Sequence, residues 1–409
     1  MGSFSIIDGG ITTVKGFQAA GAAVGIKPRK MDMAIVYSEH PCYAAGVFTK
    51  NLVRAAPVLW SQSILNSEKK FRAIITNSGN ANACTGELGK VHVKQEAEKF
   101  AALKGVNPDG VFVCSTGVIG VPLPIDTVLK GIETTSNLLG STREHGALAA
   151  KGIMTTDTIP KEIAVECSIS GVPVRIGAIA KGAGMIHPNM ATMLGFVVTD
   201  CNITPSLLQK ALSEVTERSF NMISVDGDTS TNDQVTLLAN GLANNPIIDQ
   251  ENQDYMLFKE ALEYGAMFLA KKIAYDGEGA TKFLEVHVKG AKDYETARTI
   301  VKSVVRSVLV KCAFFGEDAN WGRILCAMGY SGASFDPLGV TIQFIANNKN
   351  ITLMERGVPT KFDEALAKEI LKNREIHIEI TLYEGSEEAT AWGCDLSHEY
   401  VNINGHYRS

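Results

Sequence analysis

Hydrophobic and polar residues alternate over 375–382 (EIHIEITL), so that Ile376, Ile378, Ile380 and Leu382 share one face of an extended chain. A period of two predicts a half-buried strand. Short apolar runs at 72–76 (RAIIT), 111–114 (VFVC) and 283–288 (FLEVHV) predict further strands. A different spacing follows Asp293, where Ala297, Ile300, Val301, Val304, Val305, Val308, Leu309 and Cys312 fall on one helical stripe. Asp293 is the expected N-cap. The valines lower intrinsic helicity, so packing must hold this helix. A second helix is predicted from Thr204-Pro205, a cap followed by a first-turn proline, with Leu207, Leu208, Ala211, Leu212 and Val215 inward. Strands mixed with helices predict an α/β chain. The 283–288 strand, the Asp293 helix and the strands beyond predict a separate C-terminal α/β unit over 281–409.

Composition narrows the function classes. The 409 residues suffice for two or three domains, and 45% hydrophobic with 20% charged residues is ordinary for a soluble globular protein. A net charge of −5 argues against a nucleic-acid or anionic-membrane surface. No run approaches the roughly 20 apolar residues of a membrane span. The N-terminal residues have no basic and then apolar pattern of a secretory signal. Eight cysteines are scattered without CxxC or Cys/His metal spacing, so no metal site is expected. Most lie among apolar neighbours, as in Val-Cys-Ser and Leu-Cys-Ala, and read as reduced core residues of a cytoplasmic protein.

Four stretches rich in glycine and small polar residues interrupt the core elements. They are 77–86 (NSGNANACTG), 114–120 (CSTGVIG), 181–196 (KGAGMIHPNMATMLGF) and 224–233 (SVDGDTSTND). Such loops on a rigid scaffold commonly carry the site. They match no phosphate-binding signature. No GxSxG elbow marks Ser78 or Ser115 as a hydrolase nucleophile. Lys181 is open to a Schiff-base reading, but a lysine before a glycine-rich loop is more often solvated or carboxylate-binding. His187 beside a proline reads as structural. Asp226 and Asp228 read as members of a hydrogen-bonded loop rather than as metal ligands. By composition alone Thr192 is an ordinary β-branched residue where a loop meets the apolar strand 193–198.

The ordered motifs change that reading. The chain resembles the ornithine acetyltransferases (glutamate N-acetyltransferases) of arginine biosynthesis. The resemblance runs through GVFTKN at 46–51, NSGNANACTG, CSTGVIG, MTTDT at 154–158, KGAGMIHPNMATMLGF, SVDGDTSTND, YDGEGATKF at 275–283, FFGEDANWGR at 314–323 and INGHYRS at 403–409. It implies self-cleavage between Ala191 and Thr192, giving fragments 1–191 and 192–409. The freed threonine would then be the nucleophile. A threonine hydroxyl needs a base, and its own α-amine, with a reference pKa of roughly 7.7–8.0, can serve. Acetyl would pass from N-acetyl-L-ornithine to Thr192 and then to L-glutamate in a ping-pong cycle, with no cofactor. In bifunctional members acetyl-CoA is a further donor.

Residue by residue, the resemblance implies an oxyanion hole from the Thr116 side chain and the Gly117 N–H. It implies substrate contacts from Thr155, Lys181, Thr192, Glu278, Asn404 and Ser409. Thr156 beside Thr155 is an alternative. Lys181 suits a carboxylate and Glu278 an ammonium. Ser409 stands where many members have threonine, and keeps the hydroxyl. The implied fold is an α/β layered sandwich like that of N-terminal-nucleophile enzymes. Residues 1–280 form the catalytic core, and the C-terminal tail of 281–409 returns to the active site. The implied assembly is a heterotetramer of two large and two small fragments. Two rivals differ in outcome: an amidase or aminopeptidase of the same class passes acyl to water, and an amino-acid-binding protein stays uncut.

Overall fold

The computed structural model describes residues 4–66, 70–187 and 193–407. Ala191, Thr192 and Ser409 lie outside the described residues. The chain forms two compact units. The first takes in the chain up to Gly182, the stretch ending at Asn221, and Thr229–Leu269. The second takes in Ala183–His187, Met222–Asp228 and the chain from Ala270 onward. Among the described residues no helix is long and apolar enough to cross a membrane.

The first unit is built around one long strand, Met33–Phe48. Its first half pairs with Phe17–Ala22 on one side and Phe71–Asn80 on the other, and the latter pairs in parallel with Val111–Val118. Its second half pairs with Gln234–Ala239, and the sheet continues through Leu194–Thr199, Val172–Lys181 and Lys161–Ile169 to Phe4–Ile7. Side-chain alternation then sorts two cores. Ala34, Val36, Ile74, Phe112 and Cys114 pack with Ile179, Leu194, Phe196, Val198 and Leu238 in a core between the two halves. Met33, Ile35, Ala73, Ile75, Val111 and Val113 point to the opposite face, against Val93, Ala97 and Phe100 of the helix Gly86–Lys104. A strand buried on both faces is apolar at successive positions, which explains runs such as VFVC. Ala149 and Ala150 of the helix Arg143–Gly152 join the first of these cores, and the helix Gly86–Lys104 covers the second.

Among the described residues the second unit carries a seven-stranded sheet centred on Phe283–Ala291, paired in parallel with Glu375–Thr381 and antiparallel with Glu387–Cys394. Leu284, Val286, Val288, Ile376, Ile378 and Ile380 are buried, as the alternation predicts. The helix after Asp293 runs over Tyr294–Arg306, and the Asp293 carboxylate accepts the Thr296 N–H at 2.7 Å. It stops earlier than the apolar stripe predicts. Ser307 is extended and caps a new helix, Val308–Phe315, by accepting from Val310 N. The break resets the helical phase, so Val308 and Leu309 are 55% and 58% exposed and Cys312 is exposed, while Val310, Ala313 and Phe314 turn inward. In the first unit, Pro205–Arg218 buries the five predicted apolar residues.

All eight cysteines are free thiols. Cys42, Cys114, Cys167, Cys201 and Cys394 are buried, as expected, but Cys84, Cys312 and Cys326 are exposed. Cys326 corrects the reading of Leu-Cys-Ala as core: it sits on the outer side of the helix Trp321–Gly329, which buries Ile324, Ala327 and Met328.

Candidate active site

In the first unit the site grows from the ends of adjacent strands. Phe71–Asn80 and Val111–Val118 run parallel, with Ser78 opposite Thr116 and Gly79 opposite Gly117. The backbones approach so closely that a Cβ on Gly117 (φ +135°) would lie 2.3 Å from the Gly79 carbonyl carbon. Only glycine takes this conformation without strain. Around this pair the asparagines act as fasteners. Ser115 Oγ donates to Asn77 Oδ1 at 2.6 Å, Asn77 Nδ2 donates to Asn80 O at 2.9 Å, and Asn82 N donates to Asn80 Oδ1 at 2.8 Å. Asn232 Nδ2 reaches both Ala81 O and Ser115 O, at 2.6 and 2.8 Å. Ser78 and Ser115 are buried and spend their hydroxyls on Gly152 O and Asn77, which removes both as nucleophiles.

Thr116 is half-buried, and Lys181 Nζ donates to its Oγ1 at 3.4 Å. A hydroxyl that accepts this way still has its own O–H to donate. Lys181 is the last residue of its strand and is buried.

Asp157, in the MTTDT motif, holds the surroundings in place. Its Oδ1 receives Lys161 Nζ and Gly182 N, each at 2.7 Å, and its Oδ2 receives Thr155 N at 3.0 Å. The Asp157 and Lys161 side chains are both fully buried. Burial pushes the Asp157 carboxyl up, but Lys161, Lys181 and the Gly182 N–H outweigh it and hold the group at about 2. Lys27 Nζ donates to Met154 O at 2.6 Å, and burial lowers this lysine to about 8. The resemblance did not nominate Asp157, Lys161 or Lys27. MTTDT marked the first, and Lys161 lies only four residues on, but Gly182 is 25 residues from Asp157 and Lys27 is 127 from Met154, beyond any spacing rule. Thr155 and Thr156 are both half-buried.

The second unit holds Glu278 and Asn404. Glu278 is 6% exposed, and Asn404 Nδ2 donates to its Oε2 at 2.7 Å. Glu278 N donates to Ala183 O at 2.9 Å, and a Cβ on Gly184 would meet the Glu278 carboxyl at 2.3 Å. Asp226 accepts the N–H groups of Met185, Ile186 and Asp228 at 2.6, 2.9 and 3.1 Å, the loop role expected of it. His187 Nδ1 lies 3.1 Å from Ser224 Oγ. Burial, with Lys302, Arg306 and Lys311 nearby, lowers this imidazole to about 4, so it is neutral near pH 7.

Over residues 18–409 the chain matches the model of the ArgJ family. The chain belongs to the ArgJ family. It is 53% identical to arginine biosynthesis bifunctional protein ArgJ 1 of Clostridium acetobutylicum, over 98% of this chain and 97% of that one. It is 52% identical to the bifunctional protein ArgJ of Symbiobacterium thermophilum, over 98% and 99%. Among solved structures, the ArgJ bifunctional protein of Bacillus halodurans is 45% identical, covering 51% of this chain and 97% of that one, with a TM-score of 0.49. For this ArgJ-family chain, Thr116, Gly117, Thr155 and Lys181 fall in the first unit, and Glu278 and Asn404 in the second.

Proposed function

We propose that Thr192 carries acetyl from N-acetyl-L-ornithine to L-glutamate after the chain cuts itself between Ala191 and Thr192. As an ArgJ-family member the chain is a glutamate N-acetyltransferase of arginine biosynthesis. The observation that carries this reading is the family match over residues 18–409.

The chemistry is consistent with the groups described. In the precursor, Thr192 Oγ attacks the Ala191 carbonyl, the peptide C–N bond breaks, and water opens the resulting ester. The free α-amine then takes the hydroxyl proton as Oγ attacks the acetyl group. Ornithine leaves as the amine, and the glutamate amine resolves the acetyl ester. Each tetrahedral oxyanion needs preorganised donors. The Thr116 O–H, left available by the Lys181 contact, supports a place in that hole beside the Gly117 N–H. Lys181 is assigned to a substrate carboxylate. Glu278, held by Asn404, is assigned to the ornithine ammonium. Thr155 and Ser409 complete the substrate contacts. The proposed protein is a cytoplasmic heterotetramer of two 1–191 and two 192–409 fragments, with a 1–280 core and a 281–409 domain whose tail reaches the active site. It needs no cofactor, and the bifunctional description of its relatives supports acetyl-CoA as a second donor.

Intact mass spectrometry with an acetyl-transfer assay tests this. Wild type should give two fragments and glutamate-dependent ornithine release, and Thr192→Ala one uncut, inactive chain. An uncut active chain would sink the proposal, and acetate release without glutamate would reassign it to a hydrolase.

A further inference from the structure

The half-exposed face of the second unit's sheet carries a cluster that acetyl transfer does not use. On Phe283–Ala291, Glu285, His287 and Lys289 point away from buried Leu284, Val286 and Val288. On the parallel neighbour Glu375–Thr381, His377 and Glu379 do the same. The register sets Glu285 opposite His377 and His287 opposite Glu379. This packs two imidazoles and one carboxylate together: one donor atom from each of His287, His377 and Glu379 lies within 4.8 Å of the other two. Among the described residues this is the one such group of three or more His, Cys, Asp or Glu side chains.

Two further carboxylates give the cluster the character of a built site. His377 Nδ1 lies 3.3 Å from Glu285 Oε1, and His287 Nε2 lies 3.3 Å from Glu388 Oε2. A carboxylate on one ring nitrogen fixes the proton there and leaves the other nitrogen's lone pair for a metal, the usual outer support of histidine ligands. Glu285 is itself held by Lys271 at 2.8 Å and by the Trp392 indole N–H at 2.7 Å, so this support is anchored. Lys289 Nζ sits 2.6 Å from Glu379 Oε1, where it supplies the positive charge that a dication would supply.

We propose that His287, His377 and Glu379 bind a borderline transition-metal dication of the Zn2+ type. Two imidazoles with one carboxylate suit such ions better than Mg2+ or Ca2+, which prefer all-oxygen shells. Tetrahedral ligation at about 2.0–2.1 Å needs donors about 3.4 Å apart, so the three close by roughly 1 Å, within reach of partly exposed side chains. Lys289 swings away as the ion takes its place. With three protein ligands, the remaining position goes to water. The two strands are 92 residues apart along the chain at each paired position, so the ion would act as a clip between distant segments.

Isothermal titration of the chelator-treated full chain with ZnCl2, paired with the Co2+ absorption spectrum, tests this. One equivalent of Zn2+ is expected, with a Co2+ spectrum lacking a thiolate charge-transfer band, since Cys84, Cys312 and Cys326 are exposed competitors. The His287→Ala/His377→Ala double variant should weaken binding at least ten-fold while keeping its circular dichroism and acetyl transfer. Glu379→Gln, nearly isosteric, should weaken it without touching the histidines. Lys289→Met should tighten it several-fold. No Zn2+ uptake, a thiolate band, unchanged affinity in the double variant or in Glu379→Gln, or unchanged or weaker binding in Lys289→Met would each overturn the site.

Discussion

Asp157 accepts the backbone N–H of Gly182 at 2.7 Å, and so fastens the residue after Lys181 to the loop that begins at Met154. The same oxygen holds Lys161 inside the protein. Replacing Asp157 by Asn keeps the shape but removes the carboxylate charge that sits 2.7 Å from buried Lys161 Nζ. Breaking a buried pair from one side costs about 3–5 kcal/mol, so Asp157→Asn should show a matching drop in urea-unfolding stability. Its acid sensitivity follows from the depressed carboxyl. Stability from this group is complete above the ordinary Asp value of 3.8 and is lost as pH falls through about 2. The variant should lack that acid limb. An Asp157→Asn protein as stable as wild type would refute the anchoring role.

If Thr116 donates to the oxyanion, Thr116→Val should lower kcat by about 10²–10³-fold, the typical cost of one lost donor. Thr116→Ser should restore most of it. Circular dichroism must stay unchanged, since a turn-closing role alone would destabilise without selective loss of kcat. Gly117→Ala should fail differently, by misfolding locally, because its Cβ would collide with Gly79.

Glu278 is oriented by Asn404 and by the missing side chain at Gly184. Asn404→Ala should raise KM for N-acetyl-L-ornithine more than it lowers kcat. Gly184→Ala should do the same by pushing the carboxyl aside. Steady-state kinetics with both substrates checks this, and a pure kcat effect in both variants would exclude substrate holding by Glu278.

Glu96, on the helix Gly86–Lys104, is fully buried and neither carboxyl oxygen has a hydrogen-bond partner among the described residues. Burial pushes it from 4.5 up to about 8. The native state therefore binds the proton more tightly than the unfolded chain. Its stability contribution is full below about 4.5 and declines by about 1.4 kcal/mol per pH unit as pH rises towards 8. Glu96→Gln should flatten that slope in unfolding curves taken at pH 5, 6 and 7. A wild-type slope that survives the substitution would assign it to other groups.

Much of the secondary structure is legible where one face of an element is wet. The 375–382 alternation and the Asp293 cap are local signals, and both hold. The Val308 stripe misleads because a continuous apolar spacing does not reveal a change of helical phase at one serine. Met33–Phe48 is hard to read because its two halves serve different sheet neighbours and the polar stretch Ser38, Glu39 and His40 interrupts the apolar run.

The candidate site divides in the same way. Glycine and asparagine clusters mark the loops in the sequence, because backbone that must approach closely or turn sharply restricts which residues fit. Those motifs also carry the family resemblance, from which Thr192, Thr116, Gly117, Lys181, Glu278 and Asn404 are nominated. Only the tertiary structure pairs Asp157 with Gly182, 25 residues away, Lys27 with the Met154 carbonyl, 127 away, and Asn404 with Glu278, 126 away. It alone sets His287 beside Glu379. Such contacts depend on which strand ends and loops the fold brings together. Periodicity describes each segment against its own core, and carries no record of its distant neighbours.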